Sequence, residues 1–179
     1  MQNLEQLKYP IGKFTKPVVI SNDLLQTWIT DIDGFSDKLK SITKNLSVEQ
    51  LNCTYRPGGW TVKQVIHHCA DSHMNAYIRF KLAATQILPV INPYNEAQWA
   101  TFADGNDDVI EASILIIEGV HKRWVQFLRC LTTTDFKKEY YHPANNEDVS
   151  IETATAMYAW HCNHHLAHIE QAIAMKQNF

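Results

Sequence analysis

The chain has 179 residues, 45% of them hydrophobic and 20% charged, which suits one domain with one sizeable core. Lys and Arg number 16 against 19 Asp and Glu, a formal charge of -3 that excludes the summed positive field needed to hold a nucleic-acid backbone. No apolar run approaches the roughly 18 residues of a membrane span, and the opening MQNLEQLKYP lacks the basic-then-apolar layout of a secretion signal.

A single cytoplasmic domain over residues 1–179 is therefore expected, with neither nucleic acid nor membrane as partner. Cys53, Cys69, Cys130 and Cys162 show neither CxxC spacing nor the density of a disulfide scaffold, and read as reduced thiols.

In chain order, Ser21 is an N-cap for a helix over 21–43, which carries Leu24, Leu25, Trp28, Ile29, Ile32, Phe35, Leu39 and Ile42 at spacings of three and four. Ser47 to Gln50 has the capping-box pattern of a short helix, which the tract Pro57-Gly58-Gly59 ends. A second capping box, Thr61 to Gln64, opens a helix that continues to about Thr85. Pro89 and Pro93 impose an extended connection through about residue 107. The next helix, Asp108 to Leu131, carries Ile114, Leu115, Ile116, Ile117, Val120, Trp124 and Phe127, so it is expected to be the most buried. After a polar loop with Pro143 and Asn145-Asn146, Ser150 caps a last helix reaching about Met175, and no strand pattern of comparable strength appears.

Four amphipathic helices, each about 36 Å long at 1.5 Å per residue, bury every stripe most simply as an all-α four-helix bundle. The connection between the second and third helices, some 20 residues, spans about 66 Å when extended, so these two need not be antiparallel neighbours. A crossover is allowed.

Chemistry concentrates in the histidines. In the last helix, His161 lies one turn below His165 and His164 one turn below His168. Two imidazoles one turn apart can share a metal ion, as in the HExxH helix, but Cys162 stands where that motif has its glutamate. The seam Ile151, Ala154, Tyr158, His161, His165 runs inward, which favours the 161/165 pair; His164 looks more exposed, and His168 continues the seam as a pocket residue. A third donor should come from another helix. In the second, His73 falls near the centre of the apolar stripe, His68 at its flank and His67 nearly opposite, and periodicity does not choose among them. His68 is in line with Ser72, Asn75 and Arg79, a polar strip suited to a cavity wall, while His73 also reads as a hydrogen-bonded core imidazole. Cys69 and Cys162 read as small core residues, and Asp71 lies on the wrong face to serve as a base. The loops offer Glu96 or Asp135 instead.

The stretch Tyr55 to Lys81, with its His67-His68 pair, and the stretch Tyr158 to Ile169 resemble the YfiT branch of the DinB-like proteins, as does Tyr9 to Phe14. The resemblance implies a four-helix bundle of up-down-down-up topology, a metal-dependent hydrolase activity, a homodimer, and one zinc or nickel ion per subunit held by three histidines. Carried over by motif, His68, His161 and His165 take the ligand positions. The Arg-Gly-Gln tripeptide common after the family's last ligand is replaced here by Leu166-Ala167-His168. Relatives also include thiol S-transferases acting with bacillithiol or similar small thiols.

Three imidazoles leave a coordination position open on a divalent ion, the mark of a catalytic rather than structural site. Either a bound water, with its pKa drawn towards ~7, or a bound thiolate then becomes the nucleophile. Hydrolysis is the first reading, thiol transfer to an electrophile the second, and a non-catalytic metal-binding or sensing module the third. Asn75, Arg79 and His168 are the candidate contacts for a small-molecule substrate.

Overall fold

Ser21, Thr61 and Ser150 each accept a hydrogen bond from the backbone amide three residues ahead, and each opens a long helix as expected. The computed structural model describes residues 3–176; Met1, Gln2 and 177–179 of the expected domain lie outside the described residues. The elements are α1 (Leu4–Lys8), α2 (Asn22–Thr43), α3 (Val48–Leu51), α4 (Val62–Thr85), α5 (Glu96–Trp99), α6 (Glu111–Arg129), α7 (Thr133–Phe136), β1 (Glu139–His142), β2 (Glu147–Ser150) and α8 (Ile151–Met175). Helix α6 starts three residues later than expected, because Asp107 turns its carboxylate onto the Val109 amide and holds the preceding segment in a turn. Among the described residues, no helix is long and apolar enough to cross a membrane.

Cross-helix pairings fix the directions. Lys63 with Asp108, His67 with Ser113 and His73 with His121 advance together along both segments, so α4 and α6 are parallel. His68 with His165 and His73 with His161 advance in opposite senses, so α4 and α8 are antiparallel. Asp33 with Arg129 and Lys40 with Glu118 make α2 antiparallel to α6. The four long helices are thus up-down-down-up, and the parallel α2 and α8 pack together.

Parallel neighbours need a long return, and residues 86–110 supply it. Ile91 donates its amide to the Tyr141 carbonyl, which ties this crossover to the edge of β1. Further on, the chain folds back so closely that a Cβ on Gly105 would sit 2.6 Å from the Trp99 carbonyl oxygen. That close approach fixes α5 over one end of α4, where Gln64 donates its side-chain amide to the Ala100 carbonyl.

Three expectations need correction. Residues 139–150, read as loop, contain an antiparallel hairpin that pairs Tyr140 with Val149. Its four-residue strands bury only these two apolar side chains, too short a stretch for period-two patterning to register. Helix α6 is not the most buried: Ile117 and Trp124 are inaccessible, but Leu115 is 66% exposed. Four successive apolar residues at 100° steps go all round the helix, so they cannot all face one core. The third concerns His164, which is buried rather than exposed. The end of α1 and the segment after it lie across α8, with Trp160 donating to the Gly12 carbonyl and Gln171 to that of Leu7, and the Tyr9 ring stacks over His164.

Candidate metal centre

His68 from the middle of α4 and His161 and His165 from adjacent turns of α8 bring three nitrogens to one point. His161 Nε2 lies 3.3 Å from His68 Nε2 and 3.2 Å from His165 Nε2, and the trio lies within 4.8 Å of one another. Two imidazole nitrogens on a tetrahedral ion at 2.0–2.1 Å stand about 3.3–3.4 Å apart, so the donor set fits a first-row cation. Burial lowers all three rings below the ordinary histidine value, His68 to about 4, which keeps them neutral and their lone pairs available.

The other histidines divide as their faces dictate. His67 points away: its Nε2 donates to the Asp107 carbonyl at 2.9 Å and its Nδ1 accepts from the Ser113 hydroxyl at 2.8 Å, so both nitrogens are in use. His168 donates through Nε2 to the Lys8 carbonyl and stacks on Tyr55 with ring centres 3.8 Å apart. His164 is sandwiched near Trp160 and Tyr9. His73 and His121, both inaccessible, form a hydrogen-bonded series behind the trio: His161 Nδ1 to His73 Nε2 at 3.0 Å, His73 Nδ1 to His121 Nε2 at 2.8 Å, and His121 Nδ1 to the Ile32 carbonyl at 2.6 Å. From the sequence, His73 is open either as the third donor or as a core imidazole, and His121 carries no signal of a site. Its burial alone is legible, since His121 stands four residues after Ile117 and three before Trp124 on the buried stripe.

The trio opens into a cleft of about 540 Å³ walled by Tyr55, Trp60, Glu96, Trp160, His164 and His168. A second cavity of about 310 Å³ continues from His161 and Glu96 past Ser72, Tyr94 and Tyr158 to Arg79. Glu96, at the start of α5, places a carboxylate oxygen 3.9 Å from His68 Nδ1. The concave surroundings raise its carboxyl above the usual value by burial. Asp135, the other loop carboxylate considered, caps its own helix through Thr132 and pairs with Lys138. Asp71 lies on the far face of α4, near Asp104 and His67, as expected.

Of the candidate substrate contacts, Arg79 and His168 line cavities. Arg79 is buried, donates to the Asn92 carbonyl, and has no carboxylate at ion-pair distance among the described residues. Asn75 does not join them: its amide donates to the Asp71 carbonyl of its own helix. Cys69 and Cys162 are core thiols, their ionisation opposed by burial. Trp60 and Trp160 face the cleft, whereas Trp124 packs edge-on against Phe80 and Tyr158 in the core.

The bundle direction, the long crossover and the histidine trio together describe a known class of protein. The sequence model of the DinB superfamily matches residues 32–169, and the chain belongs to that family. A protein of Oceanobacillus iheyensis named "Putative metal-dependent hydrolase" is 50% identical over 162 residues, 90% of this chain and 93% of its own. One of the same name from Bacillus pumilus is 44% identical over 174 residues, 97% of this chain and 99% of its own. Among solved structures, YfiT from Bacillus subtilis, described as "a probable metal-dependent hydrolase with an unusual four-helix bundle topology", matches with a TM-score of 0.91 at 41% identity, over 97% of this chain and 99% of that one.

Proposed function

We propose that this chain is a metal-dependent hydrolase whose cation, zinc in the first instance and nickel as the other candidate, is held by His68, His161 and His165. The observation that carries the reading is the convergence of three neutral Nε2 atoms, 3.2 and 3.3 Å apart, on the floor of an open cleft. Relatives that bear the hydrolase name over nine-tenths of the chain support it. When bound, the cation supplies Lewis-acid activation and an exchangeable coordination position.

The protein's own groups then divide the remaining work. Glu96, on the cleft wall with its carboxyl raised above the usual value by desolvation, takes the proton from the attacking water and returns it to the leaving group. Trp60 and Trp160 provide apolar walls, and His168 presents one edge to the same cleft. Arg79, at the far end of the second cavity, offers a cation to a polar or anionic part of the substrate.

Glu96 also favours hydrolysis over thiol transfer, because an activated thiolate needs no general base. The test is a panel of esters and amides, and of small thiols with epoxides, on zinc-loaded protein. Zinc-dependent hydrolysis is expected. Thiol conjugation without hydrolysis would replace this reading with the transferase, and stoichiometric zinc with no turnover on either panel would replace it with a binding module.

A further inference from the structure

We propose that His121 and His73 are positioning residues that hold His161 in the Nδ1-protonated tautomer, and so aim its bare Nε2 at the point it shares with His68 and His165. The inference rests on the three-histidine reading and adds residues that make no contact with that point.

The direction of the series follows from its last member. The Ile32 carbonyl can only accept, so His121 carries its proton on Nδ1, 2.6 Å away. Neither His121 nor His73 has a carboxylate at ion-pair distance among the described residues, and both are shut off from water, so each ring is neutral with one proton. His121 Nε2 is therefore an acceptor, and His73 Nδ1, at 2.8 Å, must donate to it. His73 Nε2 is bare in turn, and His161 Nδ1, at 3.0 Å, must donate. A single carbonyl on α2 thus sets three tautomers in a row and leaves His161 Nε2 without a proton.

His161 is the one member of the trio treated this way. Among the described residues, His165 Nδ1 is buried with no hydrogen-bond partner, and His68 Nδ1 has only the Glu96 carboxylate at 3.9 Å. Metal-binding imidazoles generally give their second N–H to a carboxylate, carbonyl or water, which fixes the ring and makes the ligand nitrogen more basic. Here a chain of two further imidazoles does that work across the bundle. The same arrangement decides what the cluster of His73, His121 and Cys162 is for. Its atoms are close enough to suggest an ion site, but both imidazoles have spent their nitrogens on the series and the Cys162 thiol is sealed in the core.

The test uses full-length protein with ¹⁵N-labelled histidine, stripped of metal, and long-range proton–nitrogen correlation spectra. All three rings are expected as Nδ1–H tautomers; a His161 that carries its proton on Nε2 overturns the proposal before any metal is added. Zinc titration then compares His121→Phe, which removes the acceptor for His73, with His121→Gln, whose amide oxygen can still accept. Zinc affinity should fall about 10- to 100-fold in the first and recover most of the loss in the second. Equal affinities in wild type and a folded His121→Phe, equal losses in both variants, or a second zinc equivalent per chain would each overturn it. Because the tautomers are read without metal, failure of the three-histidine reading, seen as zinc retained by His165→Ala, is a separate result.

Discussion

His68 and His161 bring their Nε2 atoms within 3.3 Å of each other across 93 residues of sequence. The antiparallel contact of α4 with α8 makes this meeting possible, and the crossover over 86–110 lets α4 and α8 face each other while α6 runs parallel to α4. A hydrogen-bonded pair of imidazoles at a cleft floor is an ordinary polar contact; a third imidazole at the same distance makes it a donor set.

Replacement of His165 by Ala should lower zinc affinity at least 100-fold, and His68→Ala should do the same. His67→Ala and His164→Ala should leave affinity within a few fold of wild type. His67→Ala should instead lower stability by about 1–3 kcal/mol, since it strands the Ser113 hydroxyl and the Asp107 carbonyl. Zinc titration and thermal unfolding of the four variants separate the two effects, and equal zinc loss in all four contradicts the assignment of faces.

Glu96→Gln should reduce hydrolysis about 10²- to 10⁴-fold while zinc content stays at wild-type level. Steady-state rates beside metal analysis check this. A fall in zinc content equal to the fall in rate would make Glu96 a partner of His68 rather than the base.

Acid should destabilise the metal-free protein well before carboxylates titrate. Burial lowers His68 and His121 from 6.5 to about 4. Between these values the unfolded chain binds more protons than the folded one, so stability rises with pH through the window and is lost as pH falls from 6.5 towards 4. For His121 alone the full loss is on the order of 3 kcal/mol. Thermal unfolding by circular dichroism at pH 7 and pH 5 should show a clear drop in Tm, and a smaller drop in His121→Gln; a flat profile contradicts it.

Gly105→Ala should destabilise the protein by about 1–3 kcal/mol through overpacking. Its new Cβ would meet the Trp99 carbonyl oxygen at 2.6 Å and the Ala100 Cα at 3.2 Å, both backbone atoms that cannot step aside. The strain falls on α5, so activity should drop more than that of an equally destabilised variant distant from α5. Denaturant titration together with rates decides this.

The long helices were legible because hydroxyl caps and apolar spacing are local properties: Ser21, Thr61 and Ser150 act where the sequence places them. His161 and His165 were legible for the same reason, one turn apart on an inward seam. The partner on α4 was not, since periodicity left His67, His68 and His73 open and the family resemblance made the choice. His164 was misjudged because its cover comes from residues 9–12, more than 140 positions away. His121 was overlooked because an imidazole on an apolar stripe gains its meaning only from what it faces, here His73 on a parallel helix and a carbonyl on α2.

The most direct measurement is elemental analysis of purified protein, stripped with chelator, reloaded with zinc and freed of excess, beside the His161→Ala variant treated identically. One zinc per wild-type chain and little in the variant are expected. A wild-type protein that retains no stoichiometric metal, or a variant that retains as much as wild type, would contradict the three-histidine reading.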